Sequence, residues 1–282
     1  MAPAAGEVTL RGRGWSANRL IGGSEMRDME FFAGVPQRLI TAAGYEVTIP
    51  TFYFDFAQAS VVLATPLERI RELLPSPRLY PLRLTPRSGV TVVVAYQYRD
   101  TDIGPYNEVA IGFPVTVDRK SPVLTELRRF QVEGGSVFIW QLPVTTAIAR
   151  DLGVEAAGYP KFLADIEFAD EAGLATCRVS AGERHILTLR LRHRKPRPRS
   201  ERTRTGPVTV KGDRLLRGMA TNSIPQAAAA FHGRGVELEL GDHPLADQIR
   251  RLEMGRVLMA SYAPANQMIL SPPLESWPLA GG

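Results

Sequence analysis

Apolar and polar residues alternate in short runs along most of the chain after Tyr45. β-Branched and aromatic residues fill these runs, and Gly, Pro or Asp bound them, which is typical of β-strands. No segment repeats at a fixed period. The pattern predicts about eleven strands, at residues 59–64, 90–98, 108–117, 136–142, 162–168, 175–181, 186–192, 208–211, 236–240, 257–263 and 267–270.

Helical spacing is confined to a few places. Residues 66–74 put Pro66 in a first turn, with apolar residues three and four apart, and 145–152 and 243–252 show similar spacing. Strands and helices do not alternate regularly, which argues against a doubly wound parallel sheet. The pattern therefore predicts a mainly β (α+β) fold, an antiparallel barrel or sandwich with a few peripheral helices.

The same pattern suggests how the chain is divided. Residues 1–45 are Gly-rich and weakly periodic, and we interpret them as an N-terminal extension, partly irregular, with a short helix within 26–39. Residues 46–275 read as a single domain and 276–282 as a C-terminal tail. With 282 residues and 44% hydrophobic content, the chain is long enough to bury a large core.

Two observations bear on location. No uninterrupted apolar run approaches the roughly 18 residues that a membrane span needs. The first residues, Met-Ala-Pro-Ala-Ala-Gly-Glu, lack the basic and apolar regions of a signal peptide. We therefore expect a soluble, cytoplasmic protein without a membrane partner.

Much of the net charge of +5 lies in one run, residues 190–204, which Pro196 and Pro198 interrupt. Basic runs bind phosphates, but this one has no interleaved aromatic residues on which bases could stack. We interpret it as a solvated loop stiffened by proline, with a subunit contact or an acidic partner as alternatives, and we expect no nucleic-acid partner. The basic residues are Arg190, Arg192, Arg194, Lys195, Arg197, Arg199, Arg202 and Arg204.

Several kinds of site are not supported. Cys177 is the one cysteine, so it forms no internal disulfide, and its strand-like surroundings predict a buried structural thiol. The chain contains no G-x-G-x-x-G after a strand, no phosphate-binding loop and no G-x-S-x-G. The four histidines, at 185, 193, 232 and 243, lack metal-ligand spacing. We expect no metal and no cofactor.

One lysine stands out in an arginine-rich chain. Of 34 lysines and arginines only four are lysines, and three of these, Lys120, Lys195 and Lys211, lie in predicted turns or loops. Lys161 instead lies between Pro160 and the apolar run 162–164. A desolvated lysine loses its proton, whereas arginine does not, so an amine retained in an apolar setting indicates a nucleophile. The alternative is a lysine whose ammonium reaches solvent.

A second candidate is Glu108, at the end of the polar segment 99–109. The apolar run that follows it begins a predicted strand. Its carboxylate therefore points into a partly dry interior or, in the alternative interpretation, faces water at the end of a turn.

These segments carry a family resemblance. Residues 153–161 read Gly-x-Glu-x-x-x-Tyr-Pro-Lys, preceded by Asp100-Thr101, by Tyr106-Asn107-Glu108 and by Phe113-Pro114-Val115. A His-Pro-Leu helix start at His243 comes before the final predicted strand pair. In this order the motifs resemble the acetoacetate decarboxylase-like superfamily, over roughly residues 50–272.

The resemblance implies a cone-like β-barrel, a homo-oligomer and a lysine that forms a Schiff base with a carbonyl substrate, as in acetoacetate decarboxylase itself. The catalytic residues it implies are Lys161 and Glu108. The candidate substrate-binding residues are Tyr159, which could equally pack in the core, Phe162, Tyr106 and Glu155, which could simply brace its loop.

This chain also departs from the family pattern. Phe162 stands where the decarboxylase has a second lysine, so Phe162→Lys is expected to restore the family's lysine pair. Residues 51–56 contain no arginine where the decarboxylase has one, and a second family glutamate falls near Val94. These departures favour a divergent enzyme over acetoacetate decarboxylation.

Three functions remain open from the sequence. The leading one is a lysine Schiff-base enzyme acting on an oxo acid or related carbonyl compound, as a C–C lyase, aldolase-dehydratase or cyclase, with secondary metabolism as one setting for it. The second is a β-keto acid decarboxylase. The third is a protein that binds or cyclises a hydrophobic substrate on the same fold without imine chemistry.

Overall fold

The computed structural model describes residues 28–118 and 135–280. In these residues the chain forms three α-helices, which are α1 (Leu67–Leu73), α2 (Ala147–Ala157) and α3 (Pro244–Arg251), and a 3₁₀ helix at Met29–Phe31. The strands are β1 (Arg38–Ala42), β2 (Tyr45–Ile49), β3 (Thr51–Pro66), β4 (Leu79–Pro81), β5 (Arg83–Thr85), β6 (Ser88–Thr101), β7 (Tyr106–Val117), β8 (Gly135–Val144), β9 (Lys161–Leu163), β10 (Asp165–Glu171), β11 (Leu174–Ala181), β12 (Arg184–Arg192), β13 (Arg197–Lys211), β14 (Arg214–Ala230), β15 (Val236–Leu240) and β16 (Val257–Pro278).

Seven of these strands close into a barrel. Their order is β7-β6-β3-β16-β14-β13-β8, and β8 pairs again with β7. All neighbours in the ring are antiparallel except β13 and β8, which pair in parallel through residues 205–208 and 135–138. The predicted mainly β, antiparallel barrel with peripheral helices is confirmed.

The β8–β13 pairing ends before β8 does. Beyond Phe138, the edge of β8 that faces β13 is taken over by the short strand β9, which pairs in parallel with Leu142–Val144 of β8. Helix α2 packs beside β9 and β13. Lys161 therefore lies at the point where the barrel wall separates.

A four-stranded antiparallel sheet, β10-β11-β12-β15, covers part of the barrel. Its apolar face packs on the outer face of β3, β6, β7 and β16, and this shared cluster contains fully buried residues such as Val93, Ala95, Val179, Ile186 and Leu187. Because side chains alternate along a strand, the intervening residues of β6 and β7 point into the barrel. Tyr96, Tyr98 and Glu108 are among them.

The basic run corrects the sequence interpretation. The structure places residues 190–192 in β12 and 197–204 in β13, where Arg202 pairs with Ser223 and Arg204 with Thr221 of β14. The predicted loop is wrong for these residues. Thr203 and Thr205 alternate with the arginines, and β-branched residues favour extended backbone, while Pro198 lies beside an irregularity near the strand's start.

Three further boundaries differ from the predicted ones. The short helix expected within 26–39 is reduced to the 3₁₀ turn at Met29–Phe31, after which β1 begins at Arg38; residues 26 and 27 lie outside the described part. The strand predicted at 162–168 is divided at Ala164 into β9 and β10. The last two predicted strands form one bulged strand, β16, which continues through residues 276–278.

Among the residues that the structure describes, no helix is both long enough and apolar enough to cross a bilayer.

Candidate active site

The end of α2 sets the direction in which the chain enters β9. Gly158 ends the helix in the left-handed conformation, with φ 63°, and the Tyr159 amide donates back to the Gly153 carbonyl at 3.1 Å. A Cβ at Gly158 would collide with the Val210 carbonyl oxygen. Glycine is therefore required there on both conformational and steric grounds, and Pro160 then leads the chain into Lys161.

Gly153 provides the space that the Lys161 side chain occupies. A Cβ built on Gly153 would lie 2.6 Å from Cδ and 2.8 Å from Cε of Lys161. Any larger residue at 153 would therefore push the lysine out of its present position. The first position of the Gly-x-Glu-x-x-x-Tyr-Pro-Lys motif is therefore a glycine because a side chain there would occupy the place of the Lys161 side chain.

Lys161 and Glu108 form a buried ion pair. Nζ lies 2.8 Å from Oε2 of Glu108, and each side chain is 8% exposed. Glu108 comes from β7, where it lies opposite Tyr96 of β6 and Val144 of β8. Its other oxygen, Oε1, accepts a hydrogen bond from the Tyr98 hydroxyl at 3.3 Å.

The geometry of this pair is that of two close charges rather than of an aligned hydrogen bond. By angular criteria Oε2 has no hydrogen-bond partner, although the ammonium lies within ion-pair distance. Removing one charge of such a pair leaves the other buried without compensation, at a cost of about 3–5 kcal/mol. Oε2 is thus a buried carboxylate oxygen in direct contact with the ammonium nitrogen.

Aromatic rings surround the pair. The Lys161 ammonium lies 5.5 Å from the centre of the Tyr106 ring and 5.6 Å from that of Tyr159, within range of cation–π attraction. Tyr98 packs on Tyr106 with ring centres 4.7 Å apart, and Tyr96 stacks on Tyr98 at 5.2 Å. The hydroxyls of Tyr53 and Tyr106 are hydrogen-bonded at 3.0 Å.

These phenols stay protonated at neutral pH. Burial is the main cause that raises the pKa of each of them well above the ordinary tyrosine value, and the negative charge of Glu108 raises each pKa further. The hydroxyls therefore act as neutral groups that can donate hydrogen bonds. The tyrosines concerned are Tyr53, Tyr96, Tyr98, Tyr106 and Tyr159.

The structure brings together four of the six residues that the sequence suggested, Lys161, Glu108, Tyr106 and Tyr159. Phe162 and Glu155 lie elsewhere. Phe162 follows Lys161 in an extended strand, so it points to the opposite face and packs in the core shared with the four-stranded sheet. Glu155 is exposed on α2, where its backbone carbonyl accepts a hydrogen bond from Lys211.

Sequence reasoning missed three tyrosines of the site, Tyr53, Tyr96 and Tyr98. A signal for two of them was present, because Tyr96 and Tyr98 are two residues apart in a predicted strand. Tyr106 and Glu108 have the same spacing in the next one, so a hairpin pairing would place all four on one face.

Other candidate groups do not form a second centre. Cys177 is buried in the shared core, as the sequence predicted, and burial raises the pKa of its thiol to about 12. Within residues 28–118 and 135–280, no three His, Cys, Asp or Glu side chains are grouped so that they could hold a metal ion.

Comparison with known proteins agrees with this architecture. A family model described as acetoacetate decarboxylase (ADC) matches residues 41–272, well over half of the chain. The chain therefore belongs to the acetoacetate decarboxylase family. The comparison with curated proteins gives no significant match.

Solved structures share the fold at low sequence identity. One acetoacetate decarboxylase is 14% identical, with 81% of this chain and 90% of that chain covered and a TM-score of 0.59. The acetoacetate decarboxylase of Legionella pneumophila is 18% identical, with 93% and 99% covered and a TM-score of 0.59. The enduracididine biosynthesis enzyme MppR, complexed with pyruvate, is 13% identical, with 82% and 90% covered and a TM-score of 0.54. The expected family fold is thus confirmed.

Proposed function

We propose that the protein is a lysine Schiff-base enzyme that acts on an oxo acid or a related carbonyl compound. The observation that carries the proposal is the buried contact of 2.8 Å between Nζ of Lys161 and Oε2 of Glu108. It joins a nucleophile and a proton acceptor inside the barrel. A nucleophile within hydrogen-bond reach of a base is the arrangement that covalent catalysis requires.

The first step frees the amine. An ammonium has no lone pair, so the proton on Nζ passes to Oε2 of Glu108 before the nitrogen can attack. The neutral amine then forms a bond to the carbonyl carbon of the substrate, and a second proton moves from that nitrogen to the carbonyl oxygen, which becomes a hydroxyl. Glu108 returns its proton to this hydroxyl, which leaves as water as the carbon–nitrogen double bond forms.

The second step uses the iminium as an electron sink. A bond on the carbon adjacent to the imine carbon breaks, and its electron pair forms the carbon–carbon double bond of an enamine while the iminium nitrogen becomes neutral. In C–H cleavage the proton passes to Glu108, and in C–C cleavage the departing fragment leaves without the bonding pair. Breakage of a C–H bond leads to aldol, dehydration or cyclisation chemistry, and breakage of a C–C bond gives a lyase. Tyr98, which donates to Oε1, positions the carboxylate for these transfers.

Structures of relatives support carbonyl chemistry on this fold. The structures of MppR hold pyruvate in one case and the condensation product of pyruvate and imidazole 4-carboxaldehyde in another. Together with the acetoacetate decarboxylases, they favour an imine-forming lyase or condensing enzyme over a simple binding protein.

The test is reductive trapping. Wild-type protein is incubated with a panel of carbonyl compounds that includes pyruvate, acetoacetate and benzylacetone. Borohydride is then added, and the intact mass is recorded. We expect a stable adduct with at least one compound, because hydride converts the imine to a secondary amine. No adduct across the whole panel would contradict the proposal.

Variants assign the reactive nitrogen. Lys161→Ala is expected to abolish the adduct, and Lys195→Ala, at an exposed lysine, serves as the matched control and should leave it unchanged. Because Lys161→Ala leaves Glu108 buried without its partner, the double variant Lys161→Ala/Glu108→Gln and circular dichroism guard against misfolding. An adduct that persists in a folded Lys161 variant would overturn the assignment.

A further inference from the structure

The groups that the structure places around the reactive nitrogen carry little net charge. Nζ of Lys161 contacts the carboxylate of Glu108 and the ring faces of Tyr106 and Tyr159. The single positive charge and the single negative charge cancel. Within the described part of the chain, no second lysine or arginine is among the groups that contact Nζ of Lys161.

The aromatic wall is neutral as well. Burial keeps the hydroxyls of the five tyrosines protonated, and Glu108 is the charge that acts on all five. A neutral phenol stabilises a carbonyl or hydroxyl oxygen of a ligand by donating a hydrogen bond, and its ring offers a flat apolar surface. It gives a buried anion no compensating charge.

The arginine next to this wall is already engaged. Arg99 follows Tyr98 in β6, so alternation points its side chain away from the barrel interior. Its guanidinium donates to both Asp55 oxygens, at 2.7 and 2.8 Å, and to the Pro264 carbonyl at 2.7 Å. It is therefore held on the outer side and does not pair with a ligand bound at Lys161.

We propose that this site selects uncharged ketones or aldehydes that carry an aromatic or other flat apolar group, in preference to oxo acids. This inference rests on the proposed function and narrows its substrate class. A carboxylate attached to the carbon that Lys161 attacks would be brought close to the buried carboxylate of Glu108, whose charge already balances that of Lys161. An uncharged planar ligand incurs no such penalty and packs against the tyrosine rings.

A matched pair of compounds tests the selection. Benzylacetone is a methyl ketone, and its oxo-acid counterpart carries a carboxylate in place of the methyl group, so the two share the phenylethyl group and the reacting carbonyl. Borohydride trapping is followed by intact mass over a range of concentrations at neutral pH. We expect half-maximal trapping of the ketone at a concentration at least about tenfold lower than for the oxo acid.

The variant Glu108→Gln removes the negative charge and keeps the shape of the side chain. It slows trapping of both compounds, so the readout is the ratio of the two half-maximal concentrations. We expect the half-maximal concentration of the oxo acid, divided by that of the ketone, to fall by about tenfold, to about one or below. An unchanged ratio would show that Glu108 does not exclude the carboxylate and would overturn the inference.

The remaining outcomes separate the two proposals. Equal trapping of both compounds by the wild type, or tighter trapping of the oxo acid, overturns the inference and leaves the Schiff-base function intact. Failure to trap either compound also overturns it. The proposed function falls only if the wider carbonyl panel gives no adduct either.

Discussion

A single glycine sets where the reactive nitrogen lies. Gly153 is within α2, and the atoms that a Cβ there would meet are Cδ, Cε and Nζ of Lys161. The contact lies at the end of a flexible side chain, so the lysine moves while the backbone stays. Position 153 thus controls the distance between Nζ of Lys161 and Glu108.

We predict that Gly153→Ala lowers the rate of adduct formation by at least about tenfold and leaves the fold intact. Alanine favours the interior of a helix over glycine by about 0.5–1 kcal/mol, but displacing Lys161 loosens its buried ion pair with Glu108. The melting temperature should therefore fall, while the circular dichroism spectrum stays that of the wild type. Val154→Ala, at an exposed position on the same helix, is the control. Wild-type reactivity in Gly153→Ala would show that the lysine position is not critical.

At this scale the sequence predicted the reactive groups better than their surroundings. Lys161 stood out as a lysine in an apolar stretch of an arginine-rich chain, and the motif suggested Glu108 as its partner. Nothing local could show that these residues, 53 positions apart, lie 2.8 Å apart, because that contact depends on β7, β8 and β9 being neighbours. The contribution of Tyr53 depends in the same way on the closed barrel.

At the scale of elements, β9 separates two adjacent residues onto different faces. Lys161 points towards Glu108, and Phe162 packs in the apolar core under the four-stranded sheet. The sequence interpretation that Phe162 replaces a neighbouring cation in the pocket is therefore not supported by the strand's geometry. A lysine at 162 would begin on the opposite face of the strand and point away from Nζ of Lys161.

We predict that Phe162→Lys destabilises the protein by about 1–3 kcal/mol, since it removes a partly buried aromatic side chain and places an ammonium against an apolar cluster. It should not create acetoacetate decarboxylation. Phe162→Leu, which keeps the site apolar, is the control and should cost less. Thermal unfolding and a decarboxylation assay measure the two effects; a stable, decarboxylating Phe162→Lys variant would contradict the account.

Elements with a clear period were predictable, and those defined by tertiary contacts were not. β6 and β7 appeared as predicted strands because their residues alternate and are β-branched. The first half of β13 was not predicted as a strand, because its arginines and prolines are typical of a loop. Pairing with β14 makes it a strand. The hairpin β1–β2 was hidden in a segment of weak pattern.

For the whole molecule, the four-stranded sheet and the barrel share one core. Cys177 of β11 reports on it, because it is 1% exposed and contacts that cluster. The thiolate is the reactive form of cysteine. Since burial raises the pKa of this thiol to about 12, almost no thiolate is present near neutral pH.

We therefore predict that iodoacetamide does not modify Cys177 in the folded protein at pH about 8, near the ordinary thiol pKa. Once denaturant unfolds the protein, the pKa returns to that range and modification should be complete. Mass spectrometry after a timed reaction measures both states. Rapid labelling without denaturant would mean that the sheet separates readily from the barrel.

The expected homo-oligomer stays a prediction.

The central claim is that Lys161 forms the covalent bond to the substrate. The most direct measurement is peptide mapping by mass spectrometry. Wild-type protein is first incubated with a carbonyl compound that formed an adduct in the panel, and borohydride is then added. The account predicts a single modified peptide, with the added mass on Lys161 and none on Lys195 or Lys211. Modification at another lysine, with Lys161 unmodified, would contradict it.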